Sequence, residues 1–332
     1  MAKYEIKDGV AIIPARTRKI KDDAFKYCTS LKSITLPKLV TEIGWFAFNG
    51  CSSLKDIAIS ESLTYIGYSA FYGCTSLETI VVAEGNSKYD SREGCNAIIE
   101  TATNTLIEGC KTTVIPNSVT GIGYCAFLGR TSLKSITIPE SVTKIGSDAF
   151  SGCTSLKSIT IPESVSEIGL GAFSYCTSLE SIVMPQGVTK IELLTFSGCT
   201  SLKSITIPES VTEIGERTFK GCTSLKSITI PKSVTVIDEE VFSGCTSLES
   251  IVISKGVKEI KECAFDGCTS LTTLTLPIGV NKIEKQVFDE CSALAAINVP
   301  AGKADYYKKR LPKHLHDKIV ELAPEKKAKA KK

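Results

Sequence analysis

Histidine is nearly missing from this chain. Its 332 residues include two, His314 and His316, both near the C-terminus. The long body before them has no imidazole to serve as base in a serine or cysteine triad. Two residues apart on a helix, the pair points about 200° apart and cannot grip one metal ion, so both are read as solvated surface groups. Long apolar runs are missing too. No stretch approaches membrane-spanning length, and MAKYEIKDGVAIIPARTRKI holds no signal-peptide core, so no membrane insertion is expected. The expected location is cytoplasmic as given, or the cell surface or outside if a leader has been removed. A surplus of one charge is the third absence. Lys+Arg number 39 and Asp+Glu 36, but Lys326, Lys327, Lys329, Lys331 and Lys332 crowd the last seven residues, leaving 34 basic against 36 acidic groups elsewhere. Such a body makes a poor phosphate binder, and a short Lys/Ala run after Pro324 reads as a solvated end, so no nucleic-acid partner is expected.

What the chain has in abundance is one phrase. CTSLKSITIPESVTEIGERTFKG, from Cys199 to Gly221, is followed at Cys222 by CTSLKSITIP again. Phe25, Phe48 and Phe71 stand 23 residues apart, as do the eight from Phe127 to Phe288, so eleven of twelve phenylalanines share one position of one repeat. Ten of the fourteen cysteines, Cys28 to Cys74 and Cys153 to Cys291, keep the same interval. A fixed period of this length means a solenoid, in which each unit buries its apolar side only against its neighbours. Leu202, Ile205 and Ile207 fit the leucine-rich pattern L-x-x-L-x-L, a short strand turned inward. Pro208 closes that strand because it brings no N–H to the ladder. Val211 and Ile214 form a second apolar pair, and Phe219 plugs the far side of the coil. Gly215 reads as a positive-φ position, although Lys21, Glu192, Asp238, Lys261 and Glu284 stand there in other units.

The wording L-x-x-I-x-I-P…I-G-x-x-A-F-x-x-C resembles the BspA-like leucine-rich repeats of bacterial and protist proteins, from about Val10 to Pro300. The resemblance implies a leucine-rich-repeat solenoid without enzymatic activity. It also implies a role in binding proteins, since better-known members are surface proteins that bind host or bacterial proteins. The expected fold is a right-handed parallel β-solenoid of about 13 short strands with a C-terminal helical cap. Leu311, Leu315, Ile319 and Leu322 form the face of that cap helix after Pro312.

The rhythm breaks once. From Phe71 to Phe127 is 56 residues, and the surplus lies in Ala83 to Asn117. There Ala97–Glu100 and Thr105–Glu108 read as a hairpin around Thr101–Asn104, expected to stand off the solenoid. If Glu100 faces Thr105, Cys95 falls opposite Cys110 and the two thiols come within bridging reach; the reduced state is the expectation. The division expected is a cap and degenerate repeat at 1–27, repeats at 28–82, the insert at 83–117, repeats at 118–299, the helical cap at 300–323 and a disordered Lys-rich tail at 324–332. A longer period underlies the short one, for Lys32, Lys55 and Glu78 recur as Lys134, Lys157, Glu180 and as Lys203, Lys226, Glu249.

Chemistry finds little footing. Zinc needs ligands converging on a point, whereas laddered cysteines stand in a row. They read instead as small buried hydrophobes whose weak S–H meets a carbonyl, in a reducing compartment. There is no phosphate-cradling glycine loop and no carboxylate pair at a catalytic spacing, so no cofactor is expected.

A binding site is sought where copies differ. The outward strand positions are a monotonous Ser/Thr surface with few anchors. The turn before the ladder phenylalanine varies: Trp45-Phe46, Tyr68-Ser69 and Tyr124-Cys125 early, Glu216-Arg217, Glu239-Glu240 and Glu262-Cys263 late. The candidate partner-binding set is Trp45, Phe46, Tyr68, Tyr72, Tyr124 and Leu128 with Tyr89 and Arg92 of the insert, because aromatic and arginine residues dominate interface energetics. Trp45 and Tyr68 are expected to lie side by side at about 4.8 Å. The alternative is that these rings only shield turn backbone. The function expected is a monomeric, non-enzymatic protein-interaction scaffold; the alternative is a secreted or surface adhesin.

Overall fold

The computed structural model describes residues 4–323; the Lys-rich tail lies outside the described residues. Each regular unit is one coil with two short strands. In the phrase quoted above they are Ser204–Thr206 and Glu213–Ile214. The first pairs in parallel with Ser181–Val183 of the coil before, residue on like residue (Ser181↔Ser204, Ile182↔Ile205). The second pairs in the same way with Lys190–Ile191. Because the regular units have one length, one register serves coil after coil among them, and the chain is a parallel β-solenoid.

The core follows from side-chain alternation. Between Ser204 and Thr206, both exposed, Ile205 points inward, and Ile207, Val211, Ile214, Phe219, Cys222 and Leu225 join it in the buried interior. The ladder phenylalanines pile face on face. Phe196 lies 5.8 Å from Phe173 and 5.7 Å from Phe219, with planes within 8°. The turn holding each ring has two left-handed residues, two before and two after it, as at Arg217 (φ 56°) and Gly221 (φ 70°). Gly215 is not one of them. Its glycine answers a close approach, since a Cβ there would come within 2.6 Å of the Leu193 backbone nitrogen.

The laddered thiols meet carbonyls as expected. Cys222 Sγ donates to Phe196 O at 3.2 Å and Cys199 Sγ to Phe173 O at 3.1 Å, each reaching one coil back. Burial pushes the Cys199 and Cys245 thiols up to about 12, which suppresses the reactive thiolate.

Both ends are covered. Glu5–Lys7 runs antiparallel to Val10–Ile12, which starts the parallel stack against Ser33–Thr35, while the Tyr4 ring lies 5.2 Å from Phe25. The C-terminal cap is less helical than expected. It comprises a five-residue helix, Ala304–Lys308, a 3-10 turn, Lys313–Lys318, and a last strand, Ile319–Glu321, laid parallel on Ala296–Val299. The open edge of Ala296–Val299 offers a hydrogen-bond ladder, and the β-branched pair Ile319-Val320 completes it instead of extending a helix. Tyr307, Leu311 and Leu315 do the burying, whereas Leu322 is exposed. His316 is partly buried, its Nε2 3.0 Å from Leu311 O.

The insert differs most from expectation. Its hairpin exists, Ala97–Glu100 against Thr105–Gly109, but it lies inside the solenoid. Ala97 and Ile99 pack into the core that runs on to the C-terminus, and Ile98 packs into the core of the first coils. A strand with apolar residues on both faces is a buried strand, and this one forms a wall between two hydrophobic interiors. Thr105–Leu106 then pairs in parallel with Gly121–Ile122 and restarts the array. A bulge separates Ile98↔Glu108 from Ile99↔Leu106, so the register that would set Cys95 opposite Cys110 is lost. Neither thiol is bridged; Cys95 Sγ turns to Ala97 O and Cys110 Sγ to Glu78 O.

Two outcomes test this packing. Phe196→Ala removes a ring from mid-stack and is expected to cost about 3–5 kcal/mol in urea unfolding; a loss under about 1 kcal/mol would mean the ring is not core. In native protein Cys199 and Cys222 are expected to resist alkylation until the chain unfolds, as read by mass spectrometry of labelled peptides, and rapid labelling of either would contradict the buried ladder.

Candidate functional site

The turn face of the early coils collects aromatic side chains in the open. Trp45 is 54% exposed and Tyr124 50%, with Tyr68 and Tyr72 close behind, and Tyr27 and Tyr65 add to them. A run of contacts joins them. Lys26 Nζ sits 5.8 Å from the Tyr27 ring and 5.3 Å from the Phe46 ring. Phe46 meets Tyr68 edge-on at 5.5 Å, and Tyr68 stacks on Tyr124 at 5.7 Å. Single exposed apolar residues are ordinary on a protein surface, whereas here the exposed rings are contiguous.

Trp45 and Tyr68 share no ring contact among the described residues. The indole Nε1 donates to Tyr65 Oη at 2.8 Å, and its ring rests over Gly67, where a Cβ would come within 2.6 Å of Trp45 Cδ1. The glycine opens the space and the tyrosine hydroxyl supplies a partner for the N–H, so the indole turns toward the second strand of the next coil. Phe46 takes the expected place against Tyr68. Its backbone is left-handed (φ 53°), as that repeat position requires.

The two residues drawn from the insert serve its own anchoring. Tyr89 is 4% exposed, burial pushes its hydroxyl up to about 12, and its ring belongs to the first core. The Arg92 guanidinium is occupied by Asp90, by Asn104 Oδ1 at 2.9 Å and by Ser118 Oγ at 3.3 Å. Tyr89 is thus a core residue, while Arg92, partly exposed, spends its guanidinium on tying the insert down.

Where the insert interrupts the stack, a pocket of about 220 Å³ opens among Tyr68, Tyr72, Tyr124, Leu128, Ile107 and Glu108, with Cys125 beside them. Four of the residues singled out from the sequence thus converge, and two from the hairpin join them. In the regular array each ladder phenylalanine N–H bonds the next coil, as Phe48 N does to Ala70 O and Phe127 N to Ala149 O. At the junction Gly109 N holds Ala126 O instead, so the hairpin end stands between the coils of Phe71 and Phe127.

Arg130 secures this junction. It occupies the ladder-cysteine position of its coil, and its guanidinium is 2% exposed. Nη1 donates to Phe71 O at 2.9 Å, the carbonyl a cysteine would otherwise reach, and Nε donates to Gly109 O at 2.8 Å. Nη2 pairs with Glu108 Oε1. Burial pushes the Glu108 carboxyl up to about 7, with Arg130 pulling the other way. Glu108, Arg130, Tyr27 and Tyr65 all escaped the sequence reading. The signal for one was present, since FLGRTSL stands where other units read FSGCTSL.

No group of three or more His, Cys, Asp or Glu side chains able to hold a metal occurs among the described residues. What the arrangement offers is aromatic surface, one recessed carboxylate and a rigid backing.

Arg130→Ala leaves Glu108 and two carbonyls without their partner. It is expected to cost about 3–5 kcal/mol in chemical denaturation, far beyond a surface arginine; a cost under about 1 kcal/mol would show that the junction does not need it.

The family model for the BspA type leucine rich repeat region matches in six copies, over residues 9–104, 97–226 and 212–309. No curated protein matches the chain. Among solved structures, a leucine rich cell surface protein from Faecalibacterium prausnitzii A2-165 is 28% identical, with 91% of this chain and 90% of that one covered and a TM-score of 0.57. A leucine-rich repeat protein from Eubacterium ventriosum is 22% identical over 82% of this chain and 80% of that one, with a TM-score of 0.58. The pneumococcal vaccine antigen PcpA is 21% identical over 93% of this chain and 72% of that one, with a TM-score of 0.56. These last two likenesses are of fold. With the repeat model matched across nearly the whole described solenoid, the chain belongs to the BspA-type leucine-rich-repeat family.

Proposed function

We propose that this protein is a non-catalytic binding scaffold, and that its docking face for a protein partner is the aromatic turn surface of the early coils. The unbroken run from Tyr27 through Phe46 and Tyr68 to Tyr124 carries this reading. Large rings on a rigid backing lose little conformational freedom on binding and supply most of the energy in protein interfaces. Among the described residues the late turns carry charged groups where the early ones carry rings. These late turns are bound up in ion pairs, Arg217 with Glu239 and Glu240, Lys261 with Asp238.

A second reading, display at the cell surface as an adhesin, is favoured by the described location of the 28%-identical Faecalibacterium protein. Shaving intact source cells with protease supports it if the protein is digested and ends it if the protein survives untouched.

The docking face is tested by affinity capture from source cells with the intact chain and with Trp45→Ala and Tyr68→Ala as baits. Both positions are exposed, so both variants are expected to melt like the parent while binding the recovered protein at least about tenfold more weakly, or about 1.4 kcal/mol. Unchanged binding by both variants, or loss of folding, would place these rings outside the interface.

A further inference from the structure

Resting on that reading, we propose that the tyrosine pocket at the junction receives a basic side chain, lysine or arginine, of the bound polypeptide. Size speaks first. Small-molecule pockets enclose about 300–1,000 Å³; this one holds about 220 Å³, closer to the room one long side chain needs.

Chemistry narrows the occupant. The rings of Tyr68, Tyr72 and Tyr124 line it, aromatic groups of the kind that attract cations, and no cationic residue lines the pocket. Its one ionisable carboxyl is Glu108. Oε1 is taken by Arg130, and since no buried side-chain oxygen is left without a partner among the described residues, Oε2, which Arg130 does not hold, is read as open to water. Arg130 itself is covered, and two of its nitrogens hold the Gly109 and Phe71 carbonyls, so an occupant meets the carboxylate and not the guanidinium. Asp148 lies near enough to act on the neighbouring Cys125 thiol in the same sense as Glu108. An acidic occupant, itself deprotonated, brings no donor for Oε2, and an apolar one would strip water from it with nothing in exchange. An ammonium or guanidinium satisfies both walls and floor.

The pocket owes its acid to the insert. The bulge at Ile107, between the Ile98↔Glu108 and Ile99↔Leu106 pairs, sets the side of the strand on which Glu108 emerges, and bulges commonly re-aim a side chain at a site in this way.

The test titrates the full chain with capped Gly-Lys-Gly and Gly-Arg-Gly peptides, following tyrosine resonances by NMR. Saturable shifts confined to Tyr68, Tyr72 and Tyr124 are expected, with at least tenfold weaker binding of the acetyl-lysine peptide. Glu108→Gln keeps an acceptor for Arg130 and is expected to weaken the lysine peptide at least tenfold. Tyr124→Ala, at an exposed position, repeats the test should Glu108→Gln fail to fold. Equal binding of lysine and acetyl-lysine peptides, the absence of saturable binding, or a foldable variant binding as the parent does would overturn the proposal. Should the peptides fail while Tyr68→Ala still releases the captured partner, the pocket assignment falls and the docking face stands. Peptides bound in the pocket, with a partner indifferent to Tyr68, would leave the pocket and remove the docking face.

Discussion

No single coil of this protein has an inside. A 23-residue loop with two strands of two or three residues cannot bury a phenylalanine alone, so each ring depends on the rings above and below it. The stack from Phe127 to Phe288 keeps centroid separations between 5.0 and 5.8 Å with nearly parallel planes. That column fixes the coil spacing, and the strand ladders, the thiol–carbonyl contacts and the left-handed turn residues follow the same interval. Stability in such an array is a sum over neighbours, so the ends and any interruption are its weak points.

The interruption is handled by substitution of parts. A hairpin replaces one coil's contribution, closing the first core with Ile98 and opening the second with Ala97 and Ile99. Arg130 replaces a cysteine and reaches Phe71 O, to which a shorter thiol across the widened gap would have no access. A buried ion pair is weak evidence of net stabilisation, but removing one partner of it is costly. The place where the insert interrupts the solenoid is thus also the place where a polar group is recessed among aromatic rings.

Stacking like on like also governs the surface. In-register repeats bring the same position of neighbouring coils together, and a like charge at every level would repel. The second strands avoid this by alternation, with Lys144 paired to Glu167 at 2.6 Å, Lys190 to Glu213 at 3.1 Å and Lys19 to Glu42 at 3.0 Å. Just before the first strands the recurring Glu does the same, as in Lys203 with Glu180 at 2.6 Å. Exposed pairs of this sort contribute roughly 0–1 kcal/mol each, so their main effect is to remove repulsion.

The sequence by itself determined the solenoid, the coil length, the strand Ser204–Thr206, the buried roles of Phe219 and Cys222, and the hairpin at Ala97–Glu100, because each of these is a matter of periodicity or local turn chemistry. It also pointed to the aromatic turns, since unlike residues in a like frame stand out. Only the tertiary structure decided that the hairpin is a wall and not a flap, for an Ala-Ile-Ile strand declares its burial on both faces only when cores exist on both sides. The same holds for Trp45, turned aside by a glycine and a tyrosine one coil away, for Tyr89, drawn into the core, and for Ile319, captured by an open strand edge. Glu108 and Arg130 are 22 residues apart and meet because a bulge and a missing cysteine coincide at one level of the stack. Such a pairing is a fact of three-dimensional register, which no spacing along the chain encodes.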